Sequence, residues 1–275
     1  MTGPQISQLP DGRLHMNHGP IDLICEAWGD PRAVAEAYAQ ATQRFATILA
    51  ELVRELPALR RPNAALDGPI AHKMADAVAP FRPPFITPMA AVAGAVAETI
   101  LAVMQRPSLS RAYVNNGGDI ALHIGIGQTL TAAIAGTPHR VTITAADPIR
   151  GIATSGWGGR SFSLGIADCV TVLAKTAAMA DAAATMIANA VDLPGHPAIA
   201  RAKATDLQSD SDLGDLLVTT GVGPLTMQEI EKALQRGQAF AETCRARGLI
   251  AGAALRLGPQ LRTVGVPILT EILHA

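Results

Sequence analysis

Apolar residues along this chain recur at two periods, every second residue and about every 3.6 residues, and the switches between them outline its elements. Residues 4 to 28 alternate: GRLHMNHG and PIDLICEAW predict two strands joined at His18-Gly19-Pro20. The period then lengthens. Asp30-Pro31 is a capping acid followed by a first-turn proline, and Val34, Tyr38, Ala41, Phe45, Ile48, Leu49 and Leu52 trace one face. A helix is therefore predicted over 31–56, ending before Pro57. Pro69 to Pro80 predicts a short helix, and Phe81 to Pro88 a proline-dense loop. Pro88 to Gln105 predicts a further helix, on which Ala91, Gly94 and Ala95 form a small face open to close approach by another element.

Between residues 110 and 175 the short period returns. Arg111 to Val114 predicts a strand leading into Asn115-Asn116-Gly117-Gly118. In DIALHIGIG, Ile120, Leu122 and Ile124 face one way, and Asp119, Ala121 and His123 the other. TLTAAIAG, HRVTITAADP, IRGIATSG, RSFSLG and CVTVLA add short strands at hairpin spacing. The fold expected is α+β, with antiparallel or mixed sheets packed by helices. Thr176 to Val191 predicts a small-residue helix, and the polar residues 196–213 read as a loop. Asp206, Asp210 and Asp212 in that loop lack the glycine and terminal glutamate of an EF-hand. Asp215 to Gly221 predicts a strand. Thr226 and Glu229 make a capping box for a helix to Arg247, with Gly248 at its C-cap. LIAGAALRLGPQLRTVG reads as a final hairpin.

Composition narrows the class. The 275 residues are 49% hydrophobic and 16% charged, which argues against disorder. A net charge of -1 and the lack of a basic run give no nucleic-acid footprint, and 3% aromatics provide no stacking platform for bases. Cys25, Cys169 and Cys244 lie far apart with no zinc spacing. MTGPQISQLPDGR has neither a basic n-region nor an apolar h-region, and the most apolar window, Pro88 to Met104, is interrupted by Gly94 and Glu98. A cytoplasmic protein with no membrane partner is expected.

Three polar signals carry the candidate chemistry. Gly117-Gly118 precedes Asp119 at the start of an alternating strand, where missing side chains let a ligand or another backbone approach. Thr154-Ser155-Gly156 opens a glycine-rich turn whose hydroxyls and N–H groups suit a phosphate, with Arg160 as counter-charge. It has neither Walker spacing nor the dinucleotide GxGxxG pattern. Asp181 and Thr185 lie four apart on the alanine-rich helix, a hard oxygen pair suited to magnesium. Asp168 is open to two roles, a further ligand or a turn acid. His123 and His196 show no recognisable partners, and no GxSxG or HExxH occurs.

Taken in order, Gly117-Gly118-Asp119, Ala153-Thr154-Ser155-Gly156 and Ala180-Asp181-x-x-x-Thr185 resemble the ApbE-like superfamily of FAD:protein FMN transferases. CVTVLAKTAAMADAAAT is similar to the strand and magnesium-site helix of that family, and the resemblance covers roughly residues 88–192. It implies a single ApbE-like, T-fold-related domain over 1–275, with an N-terminal subregion 1–87, the motif region 88–192 and a C-terminal helix-hairpin 215–275. It implies FAD or FMN as the nucleotide-like ligand, bound by Gly117, Gly118, Asp119, Thr154, Ser155, Gly156 and Arg160. It also implies Mg2+ on Asp181 and Thr185, with Asp181, Thr185 and Asp119 as the catalytic set; a homodimer is left open. The transferases carry a His and an Asp-Pro-x-Thr-Gly segment where this chain has the shorter RSFSLGIAD, and their lipoprotein signal and N-terminal serine-rich segment have no counterpart here. The activities implied are FMN transfer or FAD pyrophosphate cleavage. The alternatives are a different small-molecule substrate on the same scaffold, or a non-catalytic ligand carrier.

Overall fold

The structure, a computed structural model, describes residues 3–265. In chain order the first elements are β1 (Gln5–Gln8), β2 (Leu14–His18), β3 (Ile21–Gly29), α1 (Pro31–Leu59), α2 (Pro69–Val78) and α3 (Val92–Met104). Then come β4 (Leu109–Asn116), β5 (Asp119–Ile124), β6 (Thr129–Ala133), β7 (Arg140–Thr144), β8 (Gly151–Ser155), β9 (Cys169–Ala174) and α4 (Ala177–Ala190). The chain continues with β10 (Ile199–Lys203), α5 (Ala204–Leu207), β11 (Leu217–Val222), α6 (Met227–Ala246), β12 (Gly252–Leu257) and β13 (Gln260–Gly265). The class is α+β with antiparallel sheets, as the periodicity predicts. The part of the expected C-terminal subregion beyond residue 265 lies outside the described residues.

The chain forms two interleaved compact units. Among the described residues the first comprises 3–131, 142–153 and 174–181, and the second 132–141, 154–173 and 182–265. The chain therefore passes between units inside β6, β7, β8, β9 and α4.

In the first unit the strand order is β1-β2-β3-β4-β5-β8. The predicted two-stranded opening gains β1, which pairs antiparallel with β2. Helix α1 starts as expected: the Asp30 carboxylate accepts from the amides of Arg32 at 2.9 Å and Ala33 at 3.2 Å. It does not stop before Pro57. Arg60 N still reaches Leu56 O at 3.1 Å, so the missing proline N–H costs one bond within the last turn and the helix runs on to Leu59. Its buried stripe is Ala33, Ala37, Ala41, Phe45, Ile48, Leu49, Leu52 and Leu59. Val34 and Tyr38, expected on that stripe, are half-buried at its margin. On β5, Ala121 is buried together with Leu122 and Ile124, so both faces of the strand are covered rather than one.

In the second unit β12 pairs antiparallel with both β9 and β13, and α6 begins at the predicted capping box. Two expectations fail here. RSFSLG is not a strand, because Leu164 N donates to Asn189 Oδ1 at 2.9 Å and Gly165 N to Ser163 Oγ at 3.2 Å instead of to a strand partner. Residues 196–213 are not all loop: Ile199–Lys203 pairs with β11 around a bulge at Ala200/Arg201. Alternating Ala-Arg-Ala-Lys carries little apolar signal, which hides this strand. Among the described residues no helix is long and apolar enough to cross a membrane.

Candidate functional site

The first turn of α4 opens on two alanines, Ala177 and Ala178, and the first unit shows why. A Cβ on Gly94 of α3 would lie 2.3 Å from Ala177 O, and one on Gly151 of β8 would lie 2.2 Å from the carbonyl carbon of Thr176. Only glycine at these two positions lets α4 begin against α3 and the sheet, as the predicted small face on α3 anticipates.

That approach lets the two helices cap one another. The N-cap of α3 is Ala91, whose methyl can accept nothing. Asp181 of α4 fills the role, its Oδ2 accepting from Gly94 N at 3.0 Å. In return, Glu98 of α3 accepts from Ala178 N in the first turn of α4 at 2.7 Å. Both acids sit where a helix N-terminus favours negative charge. Asn116, buried at the end of β4, ties the same place to the sheet by donating from Nδ2 to Ala93 O at 3.2 Å.

Gly117 and Gly118 turn β4 into β5 with φ of 64° and 113°, a left-handed path open to glycine, and Gly118 N donates to Asn115 Oδ1 at 2.8 Å. The turn sets Asp119 opposite Asn116 across the hairpin. Asp119 and Asp181 then interact electrostatically. Burial first, and the Asp119 charge second, push the Asp181 carboxyl well above the usual carboxylate range, against the pull of the Gly94 and Ala93 amides. The structure thus links two predicted site acids, 62 positions apart in the chain (181 less 119), in one unit.

The remaining predicted residues belong to the second unit. The Thr154 and Thr171 hydroxyls share a hydrogen bond of 2.9 Å. Ser155 is half-buried at the end of β8. Gly156 is buried so tightly that a Cβ there would lie 2.2 Å from Asp168 O. Asp168 accepts from Trp157 Nε1 at 3.3 Å and from Gly258 N at 2.7 Å. Gly158, Gly159 and Arg160 are exposed. Thr185 is half-buried one turn after Asp181 on α4. Among the described residues no group of three or more His, Cys, Asp or Glu could hold a metal ion.

Three participants escaped the sequence reading. Glu98 carried a faint signal, as the lone charge in an apolar window, and Asn116 sat within a motif without being singled out. His196 is a correction, because it has a partner: its Nε2 lies 2.9 Å from Glu229 Oε1, joining the capping box of α6.

The chain matches a family described as AbpE bacteria over residues 6–263. It is 36% identical over 127 residues to a UPF0280 protein of Methanothrix thermoacetophila, covering 45% of this chain and 52% of that protein. A UPF0280 protein of Methanopyrus kandleri is 35% identical over 162 residues, covering 57% of this chain and 63% of the relative. The chain spans about half the length of the first curated relatives it matches. Among solved structures, the apo form of the Pseudomonas stutzeri flavinyl transferase ApbE aligns with a TM-score of 0.43 at 14% identity, over 96% of this chain and 95% of that one. On the family match, which takes in both units, this chain belongs to the AbpE bacteria family, an ApbE-like family.

Proposed function

We propose that this chain handles a flavin nucleotide, FAD or FMN, with magnesium held at Asp181 and Asp119, in FMN transfer or FAD pyrophosphate cleavage. The observation that carries the reading is the Asp119–Asp181 pair, two carboxyl groups that interact in the first unit and that burial and mutual repulsion keep from ionising together unless a cation joins them. Magnesium takes one or two carboxylates and fills its remaining positions with water and phosphate oxygens, so this donor set fits it. When bound, the ion neutralises charge on a pyrophosphate. The chain's own groups would do the rest. Gly94 N orients Asp181, and Gly117-Gly118 keep side chains away from the approach. The Thr154 and Ser155 hydroxyls, the Gly156 turn and the Arg160 guanidinium are suited to phosphate. Membership of an ApbE-like family, and three of its motifs in order, support flavin as the ligand.

A second reading, a different nucleotide-like substrate on the same scaffold, is favoured by one observation. The segment replacing the transferases' His and Asp-Pro-x-Thr-Gly is taken up internally. Leu164 N bonds Asn189, Thr219 N bonds Ser163 O at 2.8 Å, and Asp168 bonds Trp157 and Gly258. FAD titrated with magnesium separates the two readings. A ligand bound only by the folded chain raises Tm by mass action, so the flavin reading expects a rise with FAD. No rise with FAD, FMN or ADP, with or without magnesium, would favour the second reading.

A further inference from the structure

A cavity of about 550 Å³ lies in the first unit between β3, the start of α1 and the turn after β1. Its volume is within the range of about 300–1,000 Å³ common for small-molecule sites. Trp28, Pro31, Val34 and Tyr38 form apolar walls. The charged side chains that line it are Asp11 and Glu26, and no Lys, Arg or His is among its lining residues. Its polar groups are therefore dominated by acceptors, and an anionic ligand would meet repulsion.

The two carboxylates differ. Arg13 pairs with Asp11, with Nε at 2.8 Å and Nη2 at 2.7 Å. Glu26 accepts from the Tyr113 phenol at 3.1 Å, a neutral donor, and forms no ion pair among the described residues. It stands next to an aromatic wall, and the Arg13 guanidinium reaches it only through the shared Tyr113 phenol. The Tyr38 hydroxyl donates to Gly12 O at 3.3 Å, which fixes that ring as a wall. Burial first, and the Glu26 and Asp11 charges after it, push the Tyr38 phenol above its ordinary value. Trp28 already shows the chemistry: the Arg111 guanidinium carbon stands 4.4 Å from its ring centroid.

We infer that this cavity binds an organic ammonium ion, with Glu26 as counter-charge and Trp28 and Tyr38 packing on the alkyl body. A bare metal ion would demand oxygen ligands on most sides, which the apolar walls do not provide. The site shares no residue with the Asp119–Asp181 pair, so it stands or falls independently of the flavin reading.

The test is a titration followed by Trp28 fluorescence in a Trp157→Phe background, which removes the other indole. The probes are n-butylammonium, n-butanol and n-butyrate at equal concentrations. The expected result is a saturable change with butylammonium alone. Glu26→Gln keeps the shape and the phenol contact, and should weaken the response at least about tenfold, the scale of one charge-assisted contact. Ala35→Phe fills the cavity from an exposed position on α1 and should abolish the response if Glu26→Gln folds poorly. An equal response to butanol, or butylammonium binding unchanged in a folded Glu26→Gln or Ala35→Phe protein, would overturn the assignment.

Discussion

Gly94 of α3 lies so close to Ala177 of α4 that a methyl group at residue 94 would sit 2.3 Å from the Ala177 carbonyl oxygen. The obstacle is backbone, which cannot swing aside as a side chain would. Gly94→Ala should therefore destabilise the protein by about 1–3 kcal/mol, the usual scale of overpacking, even though alanine is the better helix former. Chemical denaturation reads this directly. An unchanged midpoint would mean that the two helices are not in contact at this position.

Glu98 caps α4 without belonging to the proposed ion site. Glu98→Ala leaves Ala178 N unpaired and should cost about 1 kcal/mol, the typical loss of a helix cap. Magnesium binding by the folded variant should stay within about twofold of the parent, well under the tenfold that 1.4 kcal/mol would give. A large loss of metal affinity with little change in stability would instead make Glu98 a ligand.

Asp192 and Arg201 form an ion pair, both largely buried, and Arg201 also donates to Leu164 O at 2.5 Å. The pair holds the segment that replaces the transferase motif. Asp192→Asn strands a guanidinium and should cost on the order of 2 kcal/mol, below the ~3–5 of a fully buried pair. Hydrogen exchange at Leu164 should quicken more than exchange in the buried stripe of α1.

Glu229 sets a pH dependence. Hydrogen bonds from Thr226 N, then from His196 and the Thr226 hydroxyl, lower its pKa from 4.5 to about 2. A depressed folded-state pKa means that the unfolded chain takes up the proton first as pH falls. Its stabilising effect is complete above 4.5 and disappears as pH falls through about 2. The difference in unfolding midpoint between the parent and Glu229→Gln should narrow across that window. A constant difference would remove Glu229 from the acid response.

These contacts also explain what the sequence could and could not reveal. The α6 capping box was legible because Thr226 and Glu229 are three residues apart, and the start of α1 because Asp30 bonds amides two and three residues on. The acids of the candidate site were visible because each sits in a short motif. Their partners were not: Gly94 N meets an acid 87 residues away, and Ala178 N one 80 residues away. No local pattern encodes such pairs. Strand β10 was missed for a different reason, since its neighbour β11 rather than its own hydrophobicity makes it a strand.

Asp181, with Asp119 beside it, is the proposed seat of a divalent cation. The most direct measurement is isothermal titration of magnesium, with and without FAD, into the parent, Asp181→Asn and Asp119→Asn, with circular dichroism to confirm folding. Each change removes one ionisable oxygen ligand and keeps the shape. The prediction is magnesium binding to the parent that weakens at least about tenfold in both variants, with the larger loss for Asp181→Asn, as the loss of a carboxylate ligand requires. Equal magnesium binding by all three folded proteins, or none by the parent even with FAD present, would contradict it and leave Asp181 as the cap of α3 alone.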